Sequence, residues 1–189
     1  AGSKAAFRAL YTLFKVRGFK NVARHLPHTV NLFETVACRL LKTPEGYELW
    51  HQEFCLYVWL TKLCLVPFDV SSMASASNLV DSLVDRAKRG VVSSGLPADG
   101  ASEFLAHFLV REDMSRQLEE VVRWCLDESF ESNRIRLLAK MLKHGSRETM
   151  LNLMKPRLEI ISQLLRSSTG GSSLERLHRS KLIQRSCLL

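Results

Sequence analysis

The sequence has few of the residues that make tight turns. Its 189 residues include only 9 glycines and 5 prolines. Because a sandwich or barrel of short strands needs a turn every few residues, this scarcity favours long helices. The composition is otherwise that of a globular chain, with 46% hydrophobic and 24% charged residues. These values argue against a disordered or collagen-like protein.

Cysteines and long apolar runs are also scarce. The five cysteines are odd in number and show no CxxC spacing, which is typical of a cytosolic protein with reduced thiols. Cys55 and Cys64 fall in one apolar segment and are predicted to be buried structural thiols. The longest apolar run, residues 54–68, contains Lys62 and is too short to cross a bilayer. The sequence therefore predicts no membrane span.

Motifs that carry catalysis are missing. There is no GxSxG elbow, no glycine-rich phosphate loop with its lysine, and no HExxH pair. His25 and His28 are three residues apart, but no cysteine or carboxylate lies near them to complete a zinc site. We therefore predict no catalytic residues, no cofactor and no metal, and a protein that is not an enzyme.

What the sequence does contain is helical periodicity along almost its whole length. Apolar residues recur at the i, i+3, i+4 and i+7 spacing of a helix buried on one face, and no segment shows sustained alternation. The clearest stripes are Phe7, Leu10, Tyr11, Phe14; Phe33, Val36, Ala37, Leu40, Leu41; Val80, Leu83, Val84, Ala87; Ala101, Phe104, Leu105, Phe108, Leu109; Leu118, Val121, Val122, Cys125, Leu126; Ile135, Leu138, Met141, Leu142; and Leu151, Met154, Leu158, Ile161, Leu165.

Turn chemistry separates these stripes. We expect Gly145 to end a helix in the left-handed conformation, Ser146 to cap the next helix, and Pro156 to divide that helix near Met154. The other predicted breaks are Pro44–Gly46, Pro67–Asp69 with Ser71 or Ser72 as a following cap, a plain loop over Ser93–Gly100, and a flexible connection over Ser167–Ser173.

About nine helices result, and they form a weak repeat. Helix pairs begin near residues 4, 50, 98, 133 and 173, a spacing that overlaps that of HEAT and armadillo repeats. We predict an all-α, HEAT/armadillo-like α-solenoid segment over 1–189, part of a longer protein, with a last helix over 174–188 as half of a truncated repeat. A closed helical bundle is the structural alternative.

Charge is distributed in blocks. The net charge is +8, and it arises from basic segments at 1–45 and 134–166, each +6, around an acidic segment of −6 at 98–133. Within the basic segments, cations cluster at helix ends and inter-helix turns, where they suit the helix dipole. We predict partner contacts at Lys15, Arg17, Lys20 and Arg24, the first cation cluster, and at Lys140, Lys143 and Arg147, the second cation cluster. Solvated helix faces are the alternative for both.

Three tracts together resemble a known family. They are Lys15–Lys20 followed by Leu26-Pro27-His28, then Trp50 with Tyr57–Asp69, then Leu142–Gly145 with Arg147-Glu148. In order and spacing they are similar to the amino-terminal region of the tubulin-specific chaperone D family, also called tubulin-folding cofactor D. Within the second tract, Pro67, Phe68 and Asp69 form a structural turn motif.

The resemblance implies a HEAT/armadillo solenoid that binds β-tubulin. It also implies work with tubulin cofactors E and C and an ARF-like small GTPase in assembling and disassembling the αβ-tubulin heterodimer. A role in GTP hydrolysis by tubulin would exist only together with cofactor C. The implied location is the cytoplasm and the microtubule cytoskeleton.

Two other functions fit the same residues. A nucleic-acid-binding helical repeat could use the basic segments, although the acidic segment argues against this. A generic helical-repeat adaptor for another cytosolic client is the third hypothesis.

Overall fold

All the regular elements in the described residues are helical. The computed structural model describes residues 2–46, 48–70, 76–127 and 131–157, and single residues beyond these at 159, 161, 162, 173, 176, 177, 180, 181 and 184. Its α-helices are α1 (Gly2–Arg17), α2 (Phe19–Ala23), α3 (Leu32–Leu41), α4 (Trp50–Cys64), α5 (Ala76–Val92), α6 (Leu96–Leu109), α7 (Ser115–Cys125), α8 (Ser132–His144) and α9 (Arg147–Met154).

The chain divides into two compact units, Ala1–Leu105 and Ala106–Leu189. Short 3₁₀ turns occur at Glu112–Met114 and Lys155–Arg157, both in the second unit.

Helix α4 is the centre of the first unit. Residues 52–57 are buried without interruption, as are Leu60, Leu63 and Cys64, so the helix is covered on all sides rather than along one stripe. Its neighbours include α1, α2 and α3. The expectation that this apolar segment is a buried helix with buried thiols at Cys55 and Cys64 is confirmed.

Aromatic rings join α1 to α4. Tyr11 lies edge-on to Trp50 and Phe54, with ring centroids 4.8 and 5.9 Å apart. Phe14 is fully buried and also contacts the Phe54 ring. Edge-to-face pairs of this kind add about 0.5–1.5 kcal/mol each beyond their buried area, so they fix α1 firmly on α4.

In the second unit, α7 packs against α8. The predicted stripes at Leu118–Cys125 and Ile135–Leu142 are the buried faces of these helices. At their connection the Arg134 guanidinium lies 4.4 Å from the centroid of the Trp124 ring, a cation–π contact.

The breaks at prolines are confirmed. α3 and α4 end before Pro44 and Pro67, and α9 ends at Met154, where Lys155–Arg157 continues as a 3₁₀ turn containing Pro156. The stripe predicted for α9 is wrong at Leu151, which is exposed, because Met150 is the residue that is buried there.

The predicted loop over Ser93–Gly100 is wrong. The connection is limited to residues 93–95, and α6 begins at Leu96. Pro97 is tolerated because the first turn of a helix has no intrahelical N–H partners, and Asp99 suits the positive end of the helix dipole. The left-handed turn that the loop needs is supplied by Gly95, at φ +78°.

The predicted conformation of Gly145 is also wrong. Gly145 is extended, with φ −73° and ψ 160°. Glycine is required at this position because there is no room for a side chain. A Cβ there would lie 2.7 Å from Met150 Cγ and 3.0 Å from the Met141 carbonyl oxygen. The predicted cap at Ser71 or Ser72, the flexible connection 167–173 and most of the predicted helix 174–188 lie outside the described residues.

Candidate partner-binding surface

The first cation cluster surrounds the turn between α1 and α2. Lys15 and Arg17 occupy the last turn of α1, Lys20 lies in α2, and Arg24 is the residue that ends α2. All four are exposed. Between the helices Gly18 has φ +82°, a conformation that favours glycine and redirects the chain. The structure therefore places all four predicted cations around one turn.

Hydrogen bonds hold this turn in place. The Gly18 N–H donates to the Phe14 carbonyl at 3.0 Å, and the Asn21 side-chain amide donates to the Arg17 carbonyl at 2.9 Å. Arg24 donates to the Asn21 side-chain oxygen at 3.4 Å. Because α2 also contacts α4, the cations are carried by an anchored element rather than by a loose loop.

Large apolar side chains lie at the same turn and are open to solvent. Leu13 is 52% exposed, Val16 is 73% exposed and Phe19 is 45% exposed. The inner edge of the Phe19 ring contacts Phe54, with centroids 5.3 Å apart, so this ring lies half in the core. Sequence reasoning missed these residues because they lie outside the i, i+3, i+4 stripe that marks the buried face of α1. Cations around exposed apolar groups are typical of a protein-binding surface.

The second cation cluster lies in the second unit, around the turn from α8 to α9. Lys140 and Lys143 are one helical turn apart on α8, and Arg147 is the first residue of α9. Lys143 and Arg147 are exposed, whereas Lys140 is half-buried. Lys140 and Arg147 both interact with other groups of the chain. Neighbouring His144 packs on His107, with ring centroids 4.0 Å apart. This cluster is thus more engaged within the protein than the first.

The turn motif Pro67, Phe68 and Asp69 follows α4. The Phe68 ring packs on Phe33 of α3, with centroids 5.5 Å apart. The next residue, Val70, is fully buried. Phe68 thus packs on α3, and the structural role of the motif as a whole stays a prediction.

A buried charged cluster that sequence reasoning missed lies between α4 and α5. Arg86 forms ion pairs with Glu53 and Glu45, both at 3.2 Å, and its side chain is only 4% exposed. Burial raises the pKa of Glu53, while the charge of Arg86 opposes that rise. Burial also raises the pKa of Tyr57, whose hydroxyl donates to the Arg86 carbonyl at 3.4 Å.

This cluster is closed within the first unit. Arg86 also donates to the Thr43 carbonyl at 3.4 Å, and Gln52 donates to the Thr43 hydroxyl at 2.8 Å. The groups therefore join the α3–α4 connection to α4 and α5. The buried Arg86 Nε has no hydrogen-bond partner among the described residues, but the two terminal nitrogens of its guanidinium are paired with Glu45, Glu53 and the Thr43 carbonyl, as a structural network requires. A displaced pKa at such a place indicates a structural ion pair rather than an open reaction centre.

Residues 1–129 match the family model described as tubulin-specific chaperone D-like, ARM repeat. The chain belongs to this family. Its membership in the tubulin-specific chaperone D-like ARM repeat family confirms the resemblance and the predicted fold class, an all-α HEAT/armadillo-like repeat segment. The described residues contain nine α-helices, which include the short α2 and not the predicted helix 174–188.

The family match covers the whole of the first cation cluster, whereas Lys140, Lys143 and Arg147 of the second lie beyond it. No solved structure matches the chain. In the part of the chain that the structure describes, no helix has both the length and the apolar character needed to cross a membrane.

Proposed function

We propose that this chain is a non-enzymatic segment of a tubulin-folding chaperone, which binds β-tubulin through exposed cations and apolar side chains. The observation that carries the proposal is the turn between α1 and α2. There, a member of the tubulin-specific chaperone D-like family displays Lys15, Arg17, Lys20 and Arg24 beside exposed Leu13, Val16 and Phe19.

Charge supports tubulin as the partner. Tubulin is acidic, and a cluster of cations attracts an acidic surface during diffusional encounter. Glu34 is the first acidic residue of the sequence, so no carboxylate of residues 1–33 competes for the first cation cluster. The apolar side chains add the short-range contacts that electrostatic attraction alone does not provide.

We further propose that the segment works with tubulin cofactors E and C and an ARF-like small GTPase in the cytoplasm, at the microtubule cytoskeleton. Its support of GTP hydrolysis by tubulin would be exerted within a complex with cofactor C. The family resemblance is the basis of these partners.

Retention of purified tubulin on the immobilised 189-residue chain tests the β-tubulin proposal. Lys15→Glu combined with Lys20→Glu should reduce retention about tenfold, since a reversed rim charge slows encounter and leaves like charges opposed. A matched control is Lys42→Glu combined with Lys62→Glu, which makes the same charge change elsewhere in the first unit.

Circular dichroism should show an equal helix content for both double variants. Equal retention of tubulin by the two variants, or none by the unmodified chain, would refute a direct role of the first cation cluster. Added cofactors C and E should be retained by the same immobilised chain when tubulin is present.

A further inference from the structure

Helix α1 has two apolar faces. The first, made by Phe7, Leu10, Tyr11 and Phe14, packs on the core around α4. The second consists of Ala5, Ala9, Leu13 and Val16, called here the outer face. Because successive residues of a helix are 100° apart, these four residues lie on the side opposite the first stripe. All four are exposed.

The outer face is a continuous surface rather than a set of isolated residues. Ala5, Ala9 and Leu13 follow at intervals of four, and Val16 lies three beyond Leu13, so each is the neighbour of the next on the helix surface. The stripe crosses about 16 Å of α1 at 1.5 Å per residue. Single exposed apolar residues are common on protein surfaces, but a continuous apolar stripe along a helix indicates a binding surface.

Cations border this stripe. Lys4, Arg8 and Lys15 lie along one side and Arg17 along the other, and α1 contains no acidic residue. Lys4 forms an exposed ion pair with Glu48, with 3.8 Å between the Lys4 Nζ and a Glu48 carboxylate oxygen. Among the described residues, no carboxylate lies within 4 Å of the Arg8 or Lys15 side chain. A segment that binds the outer face should therefore carry negative charges as well as apolar side chains.

The shape of the outer face fits a helix better than a membrane surface. A membrane surface would require bulky side chains that insert among lipid tails, and this face offers only Leu13 and Val16 besides alanines. A narrow stripe about three turns long fits the apolar stripe of another helix, with a spacing of about 8–10 Å between helix axes. Arg8 and Lys15 are seven residues apart, so carboxylates two turns apart on the partner would meet both.

We infer that the outer face of α1 is a docking site for an acidic amphipathic helix, whose apolar stripe packs on Ala9, Leu13 and Val16 and whose carboxylates pair with Arg8 and Lys15. This inference goes beyond the proposed function because it specifies the form of the partner segment, whichever protein supplies it.

The test uses a fluorescein-labelled 18-residue helical peptide with leucine on one stripe and glutamate beside it. Fluorescence anisotropy with the 189-residue chain should show saturable binding. A peptide with lysine in place of every glutamate should bind about tenfold more weakly or not at all, because cations then face cations.

Two pairs of variants separate the apolar and charged contributions. Leu13→Ser with Val16→Ser should weaken binding of the acidic peptide about tenfold, since two exposed apolar anchors are removed. Arg8→Gln with Lys15→Gln should weaken binding severalfold and reduce its dependence on salt. Because all four residues are exposed, these changes leave the core intact.

Matched controls exist in the same unit. Leu65 and Val92 are 59% and 43% exposed, so Leu65→Ser with Val92→Ser removes an equivalent pair of exposed apolar side chains away from α1. Lys42→Gln with Lys62→Gln is the control for charge. Neither control should change the affinity for the peptide.

Several results would overturn the inference. They are equal binding of the glutamate and lysine peptides, equal effects of the α1 variants and their controls, and preferential binding of the chain to anionic phosphatidylserine vesicles. A dimer in sedimentation that Leu13→Ser with Val16→Ser abolishes would assign the face to a second copy instead. If the unmodified chain binds the acidic peptide but does not retain tubulin, only the proposed function is refuted. If it retains tubulin but does not bind the peptide, only this inference is refuted.

Discussion

Gly90 shows how tertiary contacts reverse the usual effect of a residue. Glycine inside a helix ordinarily costs about 0.5–1 kcal/mol relative to alanine. In α5, however, a Cβ at position 90 would lie 2.7 Å from the Tyr57 hydroxyl and 2.9 Å from Ala101 Cβ. We expect Gly90→Ala to lower the free energy of unfolding by about 1–3 kcal/mol through overpacking, measured by urea denaturation.

The control for Gly90 is on the same helix. Ser82 is exposed, so Ser82→Ala should change the free energy of unfolding by less than about 0.5 kcal/mol. Adding Tyr57→Phe to Gly90→Ala should recover part of the loss, since the nearest atom is then removed. A Gly90→Ala protein that is more stable than the unmodified chain would contradict the close approach of α4 and α5.

Glu53 makes the free energy of unfolding depend on pH in a defined direction. Burial raises its pKa above the ordinary value of 4.5, in spite of the opposing charge of Arg86. Between the ordinary and the raised value the native state binds more protons than the unfolded state. The contribution of Glu53 to the free energy of unfolding should therefore fall as the pH rises through this window, and Glu53→Gln should remove that contribution from the slope.

Urea denaturation of both proteins at a series of pH values checks this. Glu48→Gln is the control, because Glu48 is an exposed carboxylate whose removal should leave the slope intact. If the slope of the Glu53→Gln protein matched that of the unmodified chain, burial would not be the dominant influence on Glu53.

At the scale of elements, the start of α9 depends on one side chain. The Ser146 hydroxyl accepts a hydrogen bond from the Thr149 N–H at 3.1 Å, as its position after Gly145 predicted. Ser146→Ala should cost about 1 kcal/mol of helix stability, and Ser146→Asp should retain it, because aspartate also caps a helix. Hydrogen exchange of the α9 amides measures this locally. Equal exchange in the two variants would show that the cap contributes nothing.

The elements themselves could be predicted largely from local signals. The buried stripes of α7 and α8 follow from helical spacing, and Pro156 ends α9 because proline lacks an N–H donor. The start of α6 could not be found in this way. Its Gly100 lies where a Cβ would be 3.2 Å from Phe54 and Tyr57, so that glycine serves packing, not a loop.

The candidate surface was predicted in part. Charge along the sequence was sufficient to select Lys15, Arg17, Lys20 and Arg24. The exposed apolar residues beside them were missed because an apolar residue outside the main stripe looks like a neutral surface position. Only the packing of α1 on α4 shows which of its two apolar faces is left open.

At the scale of the whole molecule, the net charge of +8 should govern how quickly the chain meets an acidic partner. If the proposed binding of tubulin is correct, raising NaCl from about 50 mM to about 300 mM should lower the association rate constant several-fold, while the dissociation rate constant changes much less. Surface plasmon resonance measures both constants.

The Lys15→Glu, Lys20→Glu protein provides the comparison, and its association rate should depend less on salt. A dissociation rate that carried most of the salt dependence would indicate that the ion pairs are buried in the complex rather than at its rim.

Cys55 connects α4 to α1, since its thiol lies 3.7 Å from the Phe7 carbonyl oxygen and is fully buried. Burial raises the pKa of this thiol to about 12, so almost none of it is the reactive thiolate at neutral pH. Alkylation of Cys55 must then wait for α1 to lift away from α4. The rate of alkylation at Cys55 would therefore measure how often the first unit opens.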